Sequence, residues 1–333
     1  MSARALHLVS RPGGMPADSD FELREVALRA PSEGEIDVEI MHISIDPAMR
    51  VWMSEQRSYW PPVPLNDVMR AFAVGRVLAS NTPNIKVGEI ATGMFGVCER
   101  YIGSSKGVRS FAPAQLPDPT LTLSALGATG LTAYFGLLDI GRPQAGESLV
   151  VSAAAGAVGS MVVQIAKQKG LRVVALAGGA EKCAYVQSLG ADGVIDYKNE
   201  DVGARLKALL PDGVDIYFDN VGGPILDECL KRLRMRGRVV LCGGISQYNN
   251  KGAMQGPSQY LSLISMRGRM EGFVVIDYLH RADEAYAELV PWLHGGKLRD
   301  KVDRVDGLEN FVSALNRLYL GQNFGKQILS VGS

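Results

Sequence analysis

The sequence predicts an α/β protein with two parts, a compact antiparallel β-barrel and a doubly wound parallel sheet. Three observations carry that prediction. The first third is a succession of short apolar runs broken by glycines and turn residues. From Gly146 onward, apolar strand-like runs alternate with helix-like patterns. The last stretch leaves that rhythm, with one amphipathic helix and one final strand.

In chain order, "EGEIDVEIMHISI" shows the Ile36, Val38, Ile40 alternation of a half-buried strand. "AFAVGRVLAS", "VGEIATGMFGV" and "ERYIGS" are further strand candidates, separated by glycines and the Pro83-Asn84 turn. "YWPPVP", Tyr59 to Pro64, is a loop that exposes aromatics, because proline removes backbone donors and fixes φ. "LGATGLTAYFGLLDIG" has helical spacing. The strands that follow are "LVVS", "RVVALA", "GVIDY", "VDIYFDN", "RVVLCG" and "GFVVI". Helix patterns fill most of the gaps: Val158, Met161, Val162 and Ile165, then 185–189, 202–210 and 225–233. Continuous apolar strands alternating with helices indicate a parallel sheet covered on both faces. "LENFVSALNRLYLG" is an amphipathic helix, and "KQILSV" is a strand expected to rejoin the first domain. That places 1–124 and 300–333 in the first domain and 125–299 in the second.

The 333 residues carry 35 basic and 35 acidic side chains, so no basic face suggests nucleic acid or an anionic membrane as a partner. No run approaches the roughly 18 apolar residues of a membrane span. The beginning, "MSARALHLVSRPGG", lacks the apolar core of a secretory signal. Cys98, Cys183, Cys229 and Cys242 are scattered without zinc-like spacing. A soluble, cytoplasmic, zinc-free protein is expected.

The chemistry concentrates in "LVVSAAAGAVGSMVVQIAKQKGLRVVALAGGAEKC", Leu149 to Cys183. A strand, a glycine-bearing turn and a helix form a dinucleotide-binding signature, because helix N-terminal amides can hold pyrophosphate. Gly156 and Gly159 take the second and third glycine positions, while Ala154 replaces the first. The turn must therefore be built differently. At the end of the next strand, Ala177, Gly178 and Gly179 stand where an NAD site places an acid. Small residues leave room for a 2′-phosphate, and Lys182 can reach it, which favours NADPH. Glu181 could be that acid displaced, but it reads as a solvated residue at a helix start. Tyr197 either adds a hydroxyl to the phosphate or packs at a strand end.

The segments "SAAAGAVGSMVVQIAK", "AGGAEKC", "DIYFDNVGG", "CGGISQYN", "RMEGFVV" and "NFGK" together resemble the medium-chain dehydrogenase/reductase superfamily. The resemblance is to its zinc-free branch of prostaglandin reductases, leukotriene B4 12-hydroxydehydrogenases, plant double-bond reductases and bacterial curcumin reductases. "ISIDPAMR" and "GLTAYFGLLDIG" extend it across nearly the whole chain. It implies a GroES-like barrel as catalytic domain, a Rossmann domain binding NADPH, and reduction of the C=C bond of α,β-unsaturated ketones or aldehydes. By the same resemblance, Gly156, Ala157 and Val158 lie along the pyrophosphate, with Lys182 and Tyr197 at the 2′-phosphate. Asn220, Cys242, Ile245, Ser246 and Tyr248 line the cofactor cleft, Phe273 and Val275 face the carboxamide through their backbone, and Asn323 contacts the cofactor from the returning segment. A homodimer through the nucleotide-binding domain is implied by analogy. "GQNFGK" is one residue too short for a P-loop and lacks its Ser or Thr.

Two departures bear on the substrate side. Ala48 and Ser265 stand where mammalian and plant members carry tyrosines, and Tyr260 is supplied instead, about one helical turn before the second of these positions. Tyr260 is either a hydrogen-bond donor to substrate or a packing residue, and Tyr248 competes for the catalytic role. Met53, Tyr59 and Trp60 either wall an apolar substrate pocket or pack in the barrel. His42, between Met41 and Ile43, reads as a packing histidine rather than a general base. Without a Lewis acid, conjugate reduction suits the chain better than alcohol oxidation. A zinc-free quinone reductase and a non-catalytic NADPH-binding redox sensor are the two rival readings.

Overall fold

The computed structural model describes residues 1–116, 118–250, 252 and 255–332. It divides into two compact units, one formed by Met1–Leu123 with Val302–Ser333 and the other by Ser124–Lys301.

The first unit begins with β1 (Ser2–Leu8), β2 (Phe21–Ala27) and β3 (Glu35–Ser44), then the short helix α1 (Met49–Trp52). β4 (Ala73–Ser80), β5 (Ile90–Gly93), β6 (Arg100–Ser104) and β7 (Arg109–Phe111) follow. β1 and β2 form their own antiparallel pair. β3 is the centre of the larger sheet, because Ile36, Val38, Ile40 and Ile43 are all essentially buried. Its buried Asp37 is tolerated because Arg100 on the paired strand β6 forms an ion pair with it at 2.5 Å.

The second unit opens with α2 (Ala128–Phe135), which runs into a π-helical stretch over Gly136–Gly141. Strand and helix then alternate: β8 (Ser148–Val151), α3 (Ala157–Gln168), β9 (Arg172–Ala177), α4 (Ala180–Ser188), β10 (Gly193–Asp196), α5 (Val202–Leu209), β11 (Val214–Asp219), α6 (Gly223–Lys231) and β12 (Leu233–Leu241). α7 (Ser262–Met266), β13 (Arg269–Gly272) and α8 (Ala282–His294) complete it. The parallel sheet has the order β10-β9-β8-β11-β12-β13. Every residue of β8 and β11 is buried, as expected for strands covered on both faces. The strand order reverses between β8 and β11, the switch point where such sheets bind ligands.

The chain then returns to the first unit through β14 (Val302–Asp306), α9 (Phe311–Tyr319) and β15 (Lys326–Ser330). β15 lies antiparallel to β3 and parallel to β14. The final strand thus enters the first unit's sheet, and Leu308, Phe311, Val312, Ala314, Leu315 and Leu318 of "LENFVSALNRLYLG" are buried. One strand differs from the sequence expectation. "GFVVI" contributes only Gly272 to β13, and Val275–Arg281 turns into 3-10 helix. The physical reason is the ladder: β12 pairs with β13 only as far as Leu241 and Gly272, and past that point no partner strand holds the backbone extended.

A candidate dinucleotide site at the switch point

The turn after β8 explains how Ala154 can replace a glycine. Ala153, not Ala154, takes the left-handed conformation, with φ of 47°. Ala154 is fully buried, and its N–H donates to Leu176 O at 2.9 Å, tying the turn to β9. Gly159 is required by close packing: a Cβ there would stand 2.4 Å from Ala153 O and 2.8 Å from Ala154 Cα. A Cβ on Gly156 would meet only Ala153 O, at 3.1 Å, with open space otherwise. Gly156, Ala157 and Val158 are partly exposed, while Ala154, Ala155, Gly159 and Ser160 are buried. Gly156 is the N-cap of α3 and brings no side chain to it. The first amides of α3 have no intrahelical acceptor and lie beneath an uncovered surface, a fit for a pyrophosphate.

At the end of β9, Gly178 lies in a narrow place. A Cβ there would come within 2.8 Å of the Tyr197 hydroxyl and 3.0 Å of Lys198 Cε. Lys182 is on the first turn of α4, directly after Gly179 with its φ of 92°. Gly179 N–H donates to Asp196 Oδ1 at 2.9 Å, and Lys198 N–H reaches the same oxygen at 3.1 Å. These two amides and the Asn199 side chain hold the Asp196 carboxyl below its ordinary range. Glu181 is exposed in the first turn of α4. Tyr197 and Lys198 beside a Cβ-free Gly178, with Lys182 on the first turn of α4, suit an additional phosphate better than a bare ribose hydroxyl. Lys198 and Asp196 escaped the sequence analysis. The signal for Lys198 was its place immediately after the strand-ending tyrosine.

The loops after β11 and β12 are stitched together at the switch point. Asn220 N–H donates to Ser152 Oγ at 2.9 Å, and its side-chain amide donates to Ser152 O at 2.8 Å. Ser246 Oγ donates to Val221 O at 2.6 Å, and Ile245 N–H to Asn220 O at 3.3 Å. Gly244 N–H donates to the Tyr248 hydroxyl at 3.1 Å, which folds that ring back over Gly243. Beneath them lies Asp219, fully buried. Its Oδ1 accepts from the Tyr217 hydroxyl at 2.7 Å and from Val221 and Gly222 N–H at 3.0 and 2.8 Å. Oδ2 is buried with no hydrogen-bond partner among the described residues. Burial outweighs those donors and raises the Asp219 carboxyl above its ordinary value. Desolvation likewise pushes the Cys242 thiol up to about 12, so it is no thiolate at neutral pH. The Phe273 ring packs on Gly136 and edge-on to Tyr278, while Val275 opens the 3-10 turn after β13.

The remaining candidates lie in different surroundings. Tyr260 is 55% exposed just before α7, and that segment is fastened to α6 by Ser258 Oγ and Gln259 N–H, both donating to Asp227 at 2.9 Å. In the first unit, Asn323 donates to Gly325 O at 3.0 Å. Met53 is fully buried, Tyr59 is exposed, and Trp60 packs 5.3 Å from Trp52 and 5.7 Å from Tyr59. His42 Nδ1 lies 3.1 Å from Ser330 Oγ across the β3–β15 pair, and burial lowers its pKa. The His42 ring is thus engaged in packing between strands.

A barrel-type unit carrying the chain's two ends and a doubly wound unit with a glycine-bearing turn at its switch point define the class of medium-chain dehydrogenase/reductases. A model of the N-terminal domain of oxidoreductases matches residues 4–111, and one of zinc-binding dehydrogenases matches 157–294. The chain is 39% identical to the NADPH-dependent curcumin reductase of Escherichia coli over 97% of its length and 95% of that protein. It is 38% identical to the NADP(+)-dependent 2-alkenal reductase of Nicotiana tabacum, over 96% of its length and 94% of that protein. The crystal structure of CurA from Vibrio vulnificus in complex with NADPH superposes with a TM-score of 0.94 at 40% identity, covering 99% of this chain and all of that one. The chain belongs to the zinc-free branch of the medium-chain dehydrogenase/reductase family. Although the second model carries zinc in its description, no group of three or more His, Cys, Asp or Glu among the described residues is placed to hold a metal ion.

Proposed function

We propose that this chain is an NADPH-dependent reductase of the carbon–carbon double bond in α,β-unsaturated ketones and aldehydes. The observation that carries the cofactor half is the pair of cradles described above: uncovered α3 amides beside Gly156, and Tyr197 and Lys198 beside Gly178 with Lys182 on the first turn of α4. The likeness to curcumin and 2-alkenal reductases supports the substrate half.

NADPH, when bound, would supply a hydride to the β-carbon and leave as NADP+; the enolate charge then formed on the carbonyl oxygen is discharged when the α-carbon takes a proton from water or a tyrosine. The protein's part is to orient the two reactants and to stabilise that oxygen. Gly156, Ala157 and Val158 hold the pyrophosphate through backbone amides, and Lys182, Tyr197 and Lys198 fix the 2′-phosphate. The loops bearing Asn220, Cys242, Ile245, Ser246 and Tyr248 seat the nicotinamide half, with Phe273, Val275 and Asn323 as further cofactor contacts. Tyr260 donates a hydrogen bond to the developing oxyanion, and Tyr248 is the alternative donor. One well-placed donor of this kind contributes about 3 kcal/mol to the barrier. Tyr59 and Trp60 provide apolar surface for the substrate.

The exposed side chains of Leu261 at the N-cap of α7 and Ile264 on α7, shortly before the edge strand β13 in the chain, support a homodimer formed through this unit. No helix among the described residues is long and apolar enough to cross a membrane, which is consistent with a cytoplasmic enzyme.

The test is NADPH oxidation with a long-chain 2-alkenal, a diaryl enone and a benzoquinone in parallel, with NADH as control. Saturated carbonyl products with NADPH preferred are expected. Turnover of the quinone alone would transfer the assignment to a quinone reductase.

A further inference from the structure

Beyond Ala177 and Asp196, the last paired residues of β9 and β10, two loops run on to α4 and α5. One leads through Gly178 and Gly179 to Lys182, and the other holds Tyr197 and Lys198. The Asp196 carboxylate bridges them. Its Oδ1 accepts from Gly179 N–H at 2.9 Å on the first loop and from Lys198 N–H at 3.1 Å on the second. Oδ2 accepts from Asn199 Nδ2 at 2.8 Å. Asp196 is itself held through its backbone. Its N–H donates to Glu200 Oε2 at 2.8 Å, and its carbonyl accepts from Asn199 and Glu200 N–H at 3.0 and 2.8 Å.

The spacing across this bridge has little slack. A Cβ on Gly178 would meet the Tyr197 hydroxyl at 2.8 Å and Lys198 Cε at 3.0 Å, so the second loop lies as close as a residue without a side chain allows. Gly179 has φ of 92° and is the N-cap of α4, so the bond to its N–H fixes the start of the helix that carries Lys182. An ionised carboxylate this near a phosphate would repel it if the two faced each other. Here three protein donors occupy the carboxylate oxygens, and those bonds, that from Gly179 foremost, hold it below the ordinary range. The carboxylate is turned to amides rather than to a ligand, and what it contributes to the site is geometry.

We propose that Asp196 is a positioning residue for the choice of NADPH over NADH: it sets the Gly179 turn and the Lys198 segment at the separation that a ribose 2′-phosphate requires. This rests on the cofactor reading above and names the residue on which its selectivity depends. Two other roles lead to different outcomes. A carboxylate acting through its charge alone would oppose the 2′-phosphate, and removing it would raise the preference for NADPH. A purely structural residue would change the affinity for both nucleotides alike.

The test is calorimetric titration of the full-length protein with NADPH and with NADH, for wild type, Asp196→Asn, Asp196→Glu and Asp196→Ala. Asp196→Asn loses the charge and keeps an oxygen for the two amides, while Asn199 can turn its own carbonyl to the new NH2 group. Its ratio of NADPH to NADH affinity should stay at or above the wild-type value. Asp196→Glu keeps the charge and moves the oxygens outward by one methylene, and its ratio should fall by about tenfold, as should that of Asp196→Ala. A ratio that is unchanged or raised in Asp196→Glu overturns the proposal, and so does one that falls as far in Asp196→Asn. These two variants decide even where Asp196→Ala fails to fold. Wild type that binds both nucleotides equally would overturn the 2′-phosphate reading and the proposal with it. Wild type that discriminates, with Asp196→Glu discriminating as well, would overturn the role of Asp196 alone.

Discussion

Asp219 has a carboxylate oxygen buried without a partner, and its consequence for stability has a definite sign. An acid whose folded pKa is raised binds more protons in the folded chain than in the unfolded one between the two values. Stability from this group is therefore full at low pH and is lost as pH rises from the ordinary carboxylate range through the folded value. Asp219→Asn resembles the protonated acid, and Oδ1 could still accept from Tyr217, Val221 and Gly222. The variant should lose less stability than the parent between about pH 4 and about pH 8, measured by urea midpoints across the range. Parallel curves would show that Asp219 does not titrate there. A second prediction concerns the cluster at Gly178. Lys182→Ala and Lys198→Ala should each weaken NADPH binding by about tenfold while leaving NADH binding within about threefold, checked by calorimetric titration. Equal losses for both nucleotides would remove the lysine from the 2′-phosphate site. The sequence singles out Lys182 because it stands where a local signature expects a cation. Lys198, and the hydrogen bond that Ser152 Oγ donates to Asp219 Oδ1 at 3.3 Å, are not singled out by the sequence, since β8, β9, β10 and β11 come together only in the sheet.

The turn between β8 and α3 shows how an element absorbs an irregular sequence. The left-handed residue falls at Ala153, where an alanine costs more than a glycine, and the near contact of Gly159 with Ala153 O sets the pitch of the helix start. Ala153→Gly should stabilise the protein by about 0.5–1 kcal/mol, with the lost unfolded-state stiffness offsetting part of the gain. Gly159→Ala should destabilise it by about 1–3 kcal/mol, because the atom it meets is backbone and cannot swing away. Denaturant unfolding of both variants checks the pair, and a stable Gly159→Ala would mean that α3 can slide. Elements were legible where burial imposes a period. β8, β9, β11 and the helices between them follow the apolar runs closely. Those set by tertiary pairing were not: β1 sets Ser, Arg and His among its apolar residues, β2 carries charged residues along its length, and β14 reads Val-Asp-Arg-Val-Asp, with no buried residue to betray it. "GFVVI" misled in the other direction, as an apolar run whose partner strand had already ended.

For the whole molecule, β15 joins the sheet of the first unit with five consecutive buried residues. Such a strand must be covered on both sides, and pairing with β3 and β14 supplies its neighbours within the sheet. The opposite case is β13, an edge of the other unit's sheet that presents unpaired backbone groups. Its charged residues, Arg269 and Glu271, pair with each other at 3.6 Å and discourage indiscriminate strand addition. Leu261, the N-cap of α7, at 57% exposure and Ile264 on α7 at 73% stand immediately before this edge in the chain. Two apolar side chains so exposed near an unpaired strand are what a second copy would cover in a symmetric contact, where each patch meets its own equivalent. If the proposed homodimer forms through this patch, Leu261→Lys combined with Ile264→Lys should shift it to monomer at micromolar concentration, measured by light scattering after size exclusion. Folding should be spared, because exposed substitutions of this kind usually change stability by about 0.5 kcal/mol or less. A double variant that remains dimeric would place the interface on another face. A parent protein that is already monomeric would leave β13 protected by its own charges alone.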